Sequence, residues 1–159
     1  MQHHSKKFPR GFTLVELVII IVLMGILAGF VVPRLFDLQL FQQRGYHDET
    51  VSALRYAQKL AVASGCDVRV TLGATGYALA QRTACDTGSA FTLAVPHPAG
   101  AGNFAATPPN GVIPTAATII FTPLGRAANA ARATTNFAGL SAGGPVFNVV
   151  GETGYVDTP

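Results

Sequence analysis

Between Phe12 and Val32 the chain carries one charged side chain, Glu16, in an otherwise apolar run. Lys6, Lys7 and Arg10 precede that run, and Gly11 sits at its edge. At about 1.5 Å per residue, a helix of this length reaches across the roughly 30 Å of a bilayer's hydrocarbon core. A carboxylate inside such a segment is costly unless it finds a partner. The sequence therefore predicts a membrane-spanning helix over 12–32 in which one expensive residue has been kept.

Two ordinary explanations compete. A secretory signal peptide has a basic start, an apolar centre of about 7–15 residues and a small-residue cleavage site. Here the run is longer, and Pro33-Arg34-Leu35-Phe36 follows it in place of such a site. A simple membrane anchor would tolerate Glu16 as an end charge without using it.

The segment Arg10-Gly11-Phe12-Thr13-Leu14-Val15-Glu16-Leu17 resembles the processing site of type IV prepilins and type II secretion pseudopilins. The resemblance implies cleavage between Gly11 and Phe12 by the prepilin peptidase, on the cytoplasmic side. It also implies N-methylation of Phe12 and a role for Glu16 in assembly. Pro33 matches the proline of that family's helix and is expected to kink it. The implied partners are the peptidase, other pilin or pseudopilin subunits, an inner-membrane assembly platform and the lipid bilayer. The cationic amine created at Phe12 lies four residues from Glu16, on the same helix face. Glu16 can pair with that amine or with the amine of a neighbouring subunit, and the sequence leaves both open.

Charge fits this processing. The eleven Lys and Arg against eight Asp and Glu give a net charge of +3. Removing Lys6, Lys7 and Arg10 with the leader leaves eight of each, so the pI of 9.1 is a property of the leader. The mature chain offers no electrostatic basis for wholesale nucleic-acid binding. The basic N-terminal flank predicts a cytoplasmic N-terminus, with everything after about Val32 periplasmic. His3 and His4 lie in the leader.

Helical spacing continues past Pro33, through Leu35, Leu38 and Phe41 and then Val51, Leu54, Ala57 and Ala61. Gly65 is the natural stop. Gly25 and Gly29 form a G-x-x-x-G spacing, which permits close helix approach in a membrane. The segment Arg55 to Cys66 resembles the end of the first helix in minor pilins of the mannose-sensitive haemagglutinin (MSHA) pilus, and more loosely the GspH/FimT-type pseudopilin domain.

After Cys66 the period becomes two. Val68, Val70 and Leu72 alternate with Arg69 and Thr71, Gly73 to Gly76 is a turn, and Tyr77, Leu79 and Gln81 return. Pairing Leu72 with Tyr77 sets Cys66 opposite position 83, two residues short of Cys85. A disulfide between Cys66 and Cys85 is expected, worth about 3 kcal/mol by chain entropy, in a compartment that permits oxidation. The alternative is a reactive or metal-binding pair, but there is no C-x-x-C and no nearby histidine. Ser89 to Val95 reads as a strand, and Pro96 to Thr118 as a long surface loop. Thr118 to Thr122 reads as a short strand; Ile120 to Arg126 resembles the strand-turn segment of the GspH/FimT domain. Pro145 to Val156 reads as a closing hairpin.

The expected organisation is a cleaved leader over 1–11, a transmembrane helical half over 12–32, a periplasmic half over 33–65 and a β-rich domain over 66–159. The fold class is α+β, a long helix packed on a small antiparallel sheet. No hydrolase elbow, phosphate loop, paired zinc histidines or dinucleotide fingerprint occurs, so the chain reads as a non-enzyme without cofactor or metal. His47, His97, Asp48 and Glu49 read as solvated side chains, and Asp67 with Asp86 as a weak cation candidate near the disulfide. The leading function is a minor pilin of a type IV pilus. The alternatives are a pseudopilin of a type II secretion system, or a DNA-binding minor pilin, against which Arg126 and Arg132 are sparse and the tail Glu152 to Asp157 is acidic.

Overall fold

The computed structural model describes residues 12–35, 38–100 and 102–159, without the side chains of 30–35. Residues 1–11, the expected leader with Gly11, lie outside the described residues, as does the side chain of Pro33. The chain divides into two compact units, one ending at Leu38 and one comprising Gln39–Pro159.

The first unit is helix α1, Leu14–Leu35, which contains Pro33 and continues two residues beyond it. Its start has a simple cause. Thr13 stands before the first turn, its Oγ1 accepting the Glu16 N–H at 3.2 Å while its carbonyl accepts the Leu17 N–H. Thr13 and Glu16 thus occupy the two positions of a capping box. Among the described residues no helix is long and apolar enough to cross a membrane. The span expected over 12–32 runs into residues whose side chains are not described.

The second unit is built on helix α2, Leu38–Ser64. Tyr46, His47, Thr50, Val51, Ala53, Leu54, Ala57 and Ala61 are its buried stripe, spaced for one helix face. Three alanines in that stripe let strands approach closely. Gly65 ends the helix with φ of 68°, donating its N–H to the Ala61 carbonyl at 3.0 Å.

Two antiparallel sheets share one core with α2. The larger has β1 (Val68–Gly73), β2 (Gly76–Gln81), β3 (Leu93–Ala94), β4 (Ala105–Ala106), β5 (Ala117–Phe121) and β6 (Ala127–Ala128). Its order is β3-β2-β1-β5-β6, with β4 on β2 as well. Leu72 pairs with Tyr77 and Gly73 with Gly76, the register expected from the alternation. Val68, Val70 and Leu72 are buried while Arg69 and Thr71 are half-buried, because a pleated strand with one covered face must alternate. The smaller sheet joins β7 (Phe137–Leu140), β8 (Phe147–Val149) and β9 (Val156–Asp157) in sequence order. The closing hairpin is β8 and β9, with Val149 opposite Val156.

Two expectations need correction, and one strand lies where none was expected. The strand read over 89–95 shrinks to Leu93–Ala94, because Asp86 Oδ1 accepts the N–H groups of Gly88 and Ser89 and bends the chain there. The segment 96–118 is more than a surface loop: β4 pairs with β2, Pro96 bridges Asn103, and Phe104 and Val112 are core residues. Phe137–Leu140, which carries little periodic signal, is a strand held by β8. The last two depend on long-range partners that local pattern does not contain.

Candidate assembly site

At the start of α1, Phe12 is 74% exposed and Glu16 is exposed as well. Every side chain from Phe12 to Gly29 is exposed, Ile20 least among the large apolar ones at 40%. The Glu16 backbone N–H is occupied by Thr13 Oγ1, and its carboxylate makes no ion pair among the described residues. An apolar rod with one free carboxylate near its N-terminus results. Capping by Thr13 directs the first turn and leaves the carboxylate available to a cation.

The disulfide joins Cys66 to Cys85, with Cα atoms 4.5 Å apart. The two-residue offset from the hairpin register is taken up by residues after β2. Arg82 begins that turn, donating its N–H to the Asp67 carbonyl and its Nε–H to Asp67 Oδ2 at 2.9 Å. Arg132 reaches the same carboxylate oxygen from a loop 65 residues away. Its φ of 62° puts a side chain in the left-handed region, and the ion pair is what that backbone turn achieves. The guanidinium groups of Arg69 and Arg82 lie over the Phe91 ring, 4.8 and 4.3 Å from its centroid.

This cluster corrects the reading of Asp67 as a cation ligand: its carboxylate is consumed by two arginines. Asp86 binds backbone instead. The Ser89 N–H above all, with the Ser89 hydroxyl and the Gly88 N–H, holds its carboxyl below the usual carboxylate range. Among the described residues no group of His, Cys, Asp and Glu is arranged to hold a metal.

The histidines and Glu49 are corrected too. His47 is buried on α2, 5.8 Å from Phe147 and edge-on to it. Gly144 packs so close that a Cβ there would lie 2.6 Å from the imidazole. His97 packs on Phe104 at 4.6 Å. Glu49 accepts a 2.6 Å hydrogen bond from the Tyr77 hydroxyl, whose ionisation burial, then Glu49, pushes well above its ordinary range. Arg126 pairs with Glu152 at 3.4 Å on the surface. With Arg132 on Asp67, both arginines named for a nucleic-acid reading have carboxylate partners.

Sequence spacing gave no hint of the Asp67 cluster or of Gln58, whose Nε2 donates to the carbonyls of Gly125 and Thr153 and ties α2 to two turns. Their partners are brought in by the fold alone.

The comparisons with known proteins agree with this anatomy. Residues 6–32 match the prokaryotic N-terminal methylation motif, and residues 48–152 match Type II transport protein GspH. A 52-residue stretch is 44% identical to the type IV narrow pilus major component PilA5 of Thermus thermophilus, covering 33% of this chain and 45% of that relative. The chain thus spans less than half the length of the curated relative it matches. No solved structure matches. An apolar N-terminal helix with a methylation motif, followed by a helix packed on antiparallel sheets, defines a type IV prepilin-like protein. Within that class, the chain belongs to the Type II transport protein GspH family. The comparisons reach the level of prepilin-like proteins and do not single out the MSHA pilus.

Proposed function

We propose that this chain is a structural subunit, a minor pilin, of a type IV pilus, processed at its leader and assembled through α1. The observation that carries this is the exposed apolar surface of α1 from Leu14 to Gly29, with Glu16 as the one charge in that stretch. A surface so apolar is covered by lipid or by other protein. In this reading the prepilin peptidase cuts between Gly11 and Phe12, and Phe12 is N-methylated. The chain then waits in the inner membrane, its N-terminus cytoplasmic and its second unit periplasmic. The assembly platform passes it to a filament, where Glu16 meets the charged amine of Phe12 on a neighbouring subunit. That pairing removes an uncompensated charge, whose loss of partner costs about 3–5 kcal/mol when buried.

A second reading is a pseudopilus subunit of a type II secretion system, favoured by the match of residues 48–152 to Type II transport protein GspH. Both readings use the same helix and the same carboxylate.

The test is Glu16→Leu. A plain anchor gains from losing a charge in lipid. A filament subunit carrying Glu16→Leu is still cleaved and membrane-inserted, but its ratio in sheared filaments to membranes falls. An unchanged ratio removes the mechanism assigned to Glu16.

A further inference from the structure

A groove of about 340 Å³ lies between one face of α2 and the loop before β4. Ser52, Arg55, Tyr56 and Lys59 form its helix wall, with Pro98 and Phe104 opposite. Phe104 is nearly buried and held among three rings, Tyr56 at 5.2 Å, Tyr77 at 6.1 Å and His97 at 4.6 Å, so the floor is apolar and well packed. Ser52, Arg55 and Lys59 are exposed.

The charges are one-sided. No carboxylate lines the groove, and from Thr50 to Ser64 α2 carries Arg55 and Lys59 with no acidic residue. Arg55 donates to the Val156 carbonyl at 3.3 Å, and neither cation makes an ion pair among the described residues. Like charges four apart on a helix are mildly destabilising. Arg55 ties α2 to β9 and Lys59 stands one turn on, so an anion entering the groove meets both cations beside the apolar floor.

We propose that this groove is a docking site for an acidic peptide segment of a partner protein, its carboxylate held by Arg55 and Lys59 and an adjacent aliphatic side chain seated over Phe104 and Pro98. The volume suits one or two side chains, at the small end of ligand pockets. A sugar acid fits less well, since its ring hydroxyls need several polar partners and, beyond the two cations taken by the carboxylate, the groove offers the hydroxyls of Ser52 and Tyr56. A nucleic-acid backbone needs a longer run of cations. This site is separate from α1 and its proposed role.

The experiment titrates isotope-labelled full-length chain, in zwitterionic detergent, with a set of acetylated pentapeptides that place one Glu beside Leu, Ile or Val. The same peptides with Gln for Glu, free galacturonate and inorganic phosphate are the comparison probes. Acidic peptides should shift the resonances of Ser52, Arg55, Tyr56, Lys59 and Phe104. Lys59→Glu should weaken binding about tenfold, and the groove-filling Ser52→Trp should abolish it. Both positions are exposed, and amide spectra matching the wild type outside the groove check that both variants fold. Arg126→Glu, outside the groove, should bind like the wild type. The proposal fails if no acidic peptide shifts these residues, if the neutral peptides bind equally, if only galacturonate or phosphate binds, or if Arg126→Glu weakens binding as much as Lys59→Glu.

Discussion

Arg82 and Asp67 are joined twice, by a backbone hydrogen bond at 3.2 Å and by a buried ion pair at 2.9 Å. Only 8% and 3% of these side chains are exposed, and Asp67 also receives Arg132. Removing the carboxylate strands two guanidinium groups, one of them buried. Asp67→Asn should lower unfolding stability by about 3–5 kcal/mol. Arg132→Ala, at a partly exposed partner, should cost about 1 kcal/mol. Urea midpoints of the two variants check the order; equal effects would show that Arg132 shares the buried pair's weight.

The disulfide lies beside this ion pair and closes a loop of sequence separation 19. Cys66→Ser with Cys85→Ser should cost about 3 kcal/mol in the chain-entropy model. Non-reducing peptide mapping of oxidised protein should recover Cys66 and Cys85 in one linked fragment, and two free thiols would contradict it.

Tyr77 supplies a pH dependence. Burial, then Glu49, raises its ionisation above the ordinary 10.0. Below pH 10.0 the hydroxyl is protonated in folded and unfolded chains alike, and its contribution is fully present. As pH rises beyond that value the unfolded chain loses its proton first, so stability falls. Denaturation midpoints should therefore decline above about pH 10, and Tyr77→Phe should flatten that decline. A profile identical in wild type and variant would assign the alkaline loss elsewhere.

Gly76 begins β2 with φ of 118°, and a Cβ there would lie 1.9 Å from the Ala106 carbonyl oxygen. Both the backbone conformation and the space exclude a side chain. Gly76→Ala should destabilise by about 3 kcal/mol, with loss of hydrogen-exchange protection centred on β4. Gly73→Ala, with nothing within 4 Å of its Cβ, is the matched control.

Processing at the leader is tested by mass spectrometry of membrane-derived protein. The mature chain should begin at methylated Phe12. A mature start beyond Val32 would instead indicate ordinary signal cleavage.

Much of this molecule is local in origin and so is legible from residue order. The apolar run with Glu16, the stop at Gly65 and the Val68–Gln81 hairpin rest on periodicity, capping and turn chemistry, which act over a few residues. The hairpin register even carried Cys66 to within two residues of Cys85. The tertiary structure alone decided the rest. Leu93–Ala94 and Ala105–Ala106 are strands only because β2 offers each one half of its free edge. Phe104 is core because Tyr56 of α2 and Tyr77 of the hairpin pack against its ring. His47 is buried because Gly144 has no side chain, and Asp67 gains a second cation because Arg132, 65 residues on, turns back through a left-handed backbone to reach it. Such contacts pair groups distant in sequence, and neither hydropathy nor spacing records which two will meet.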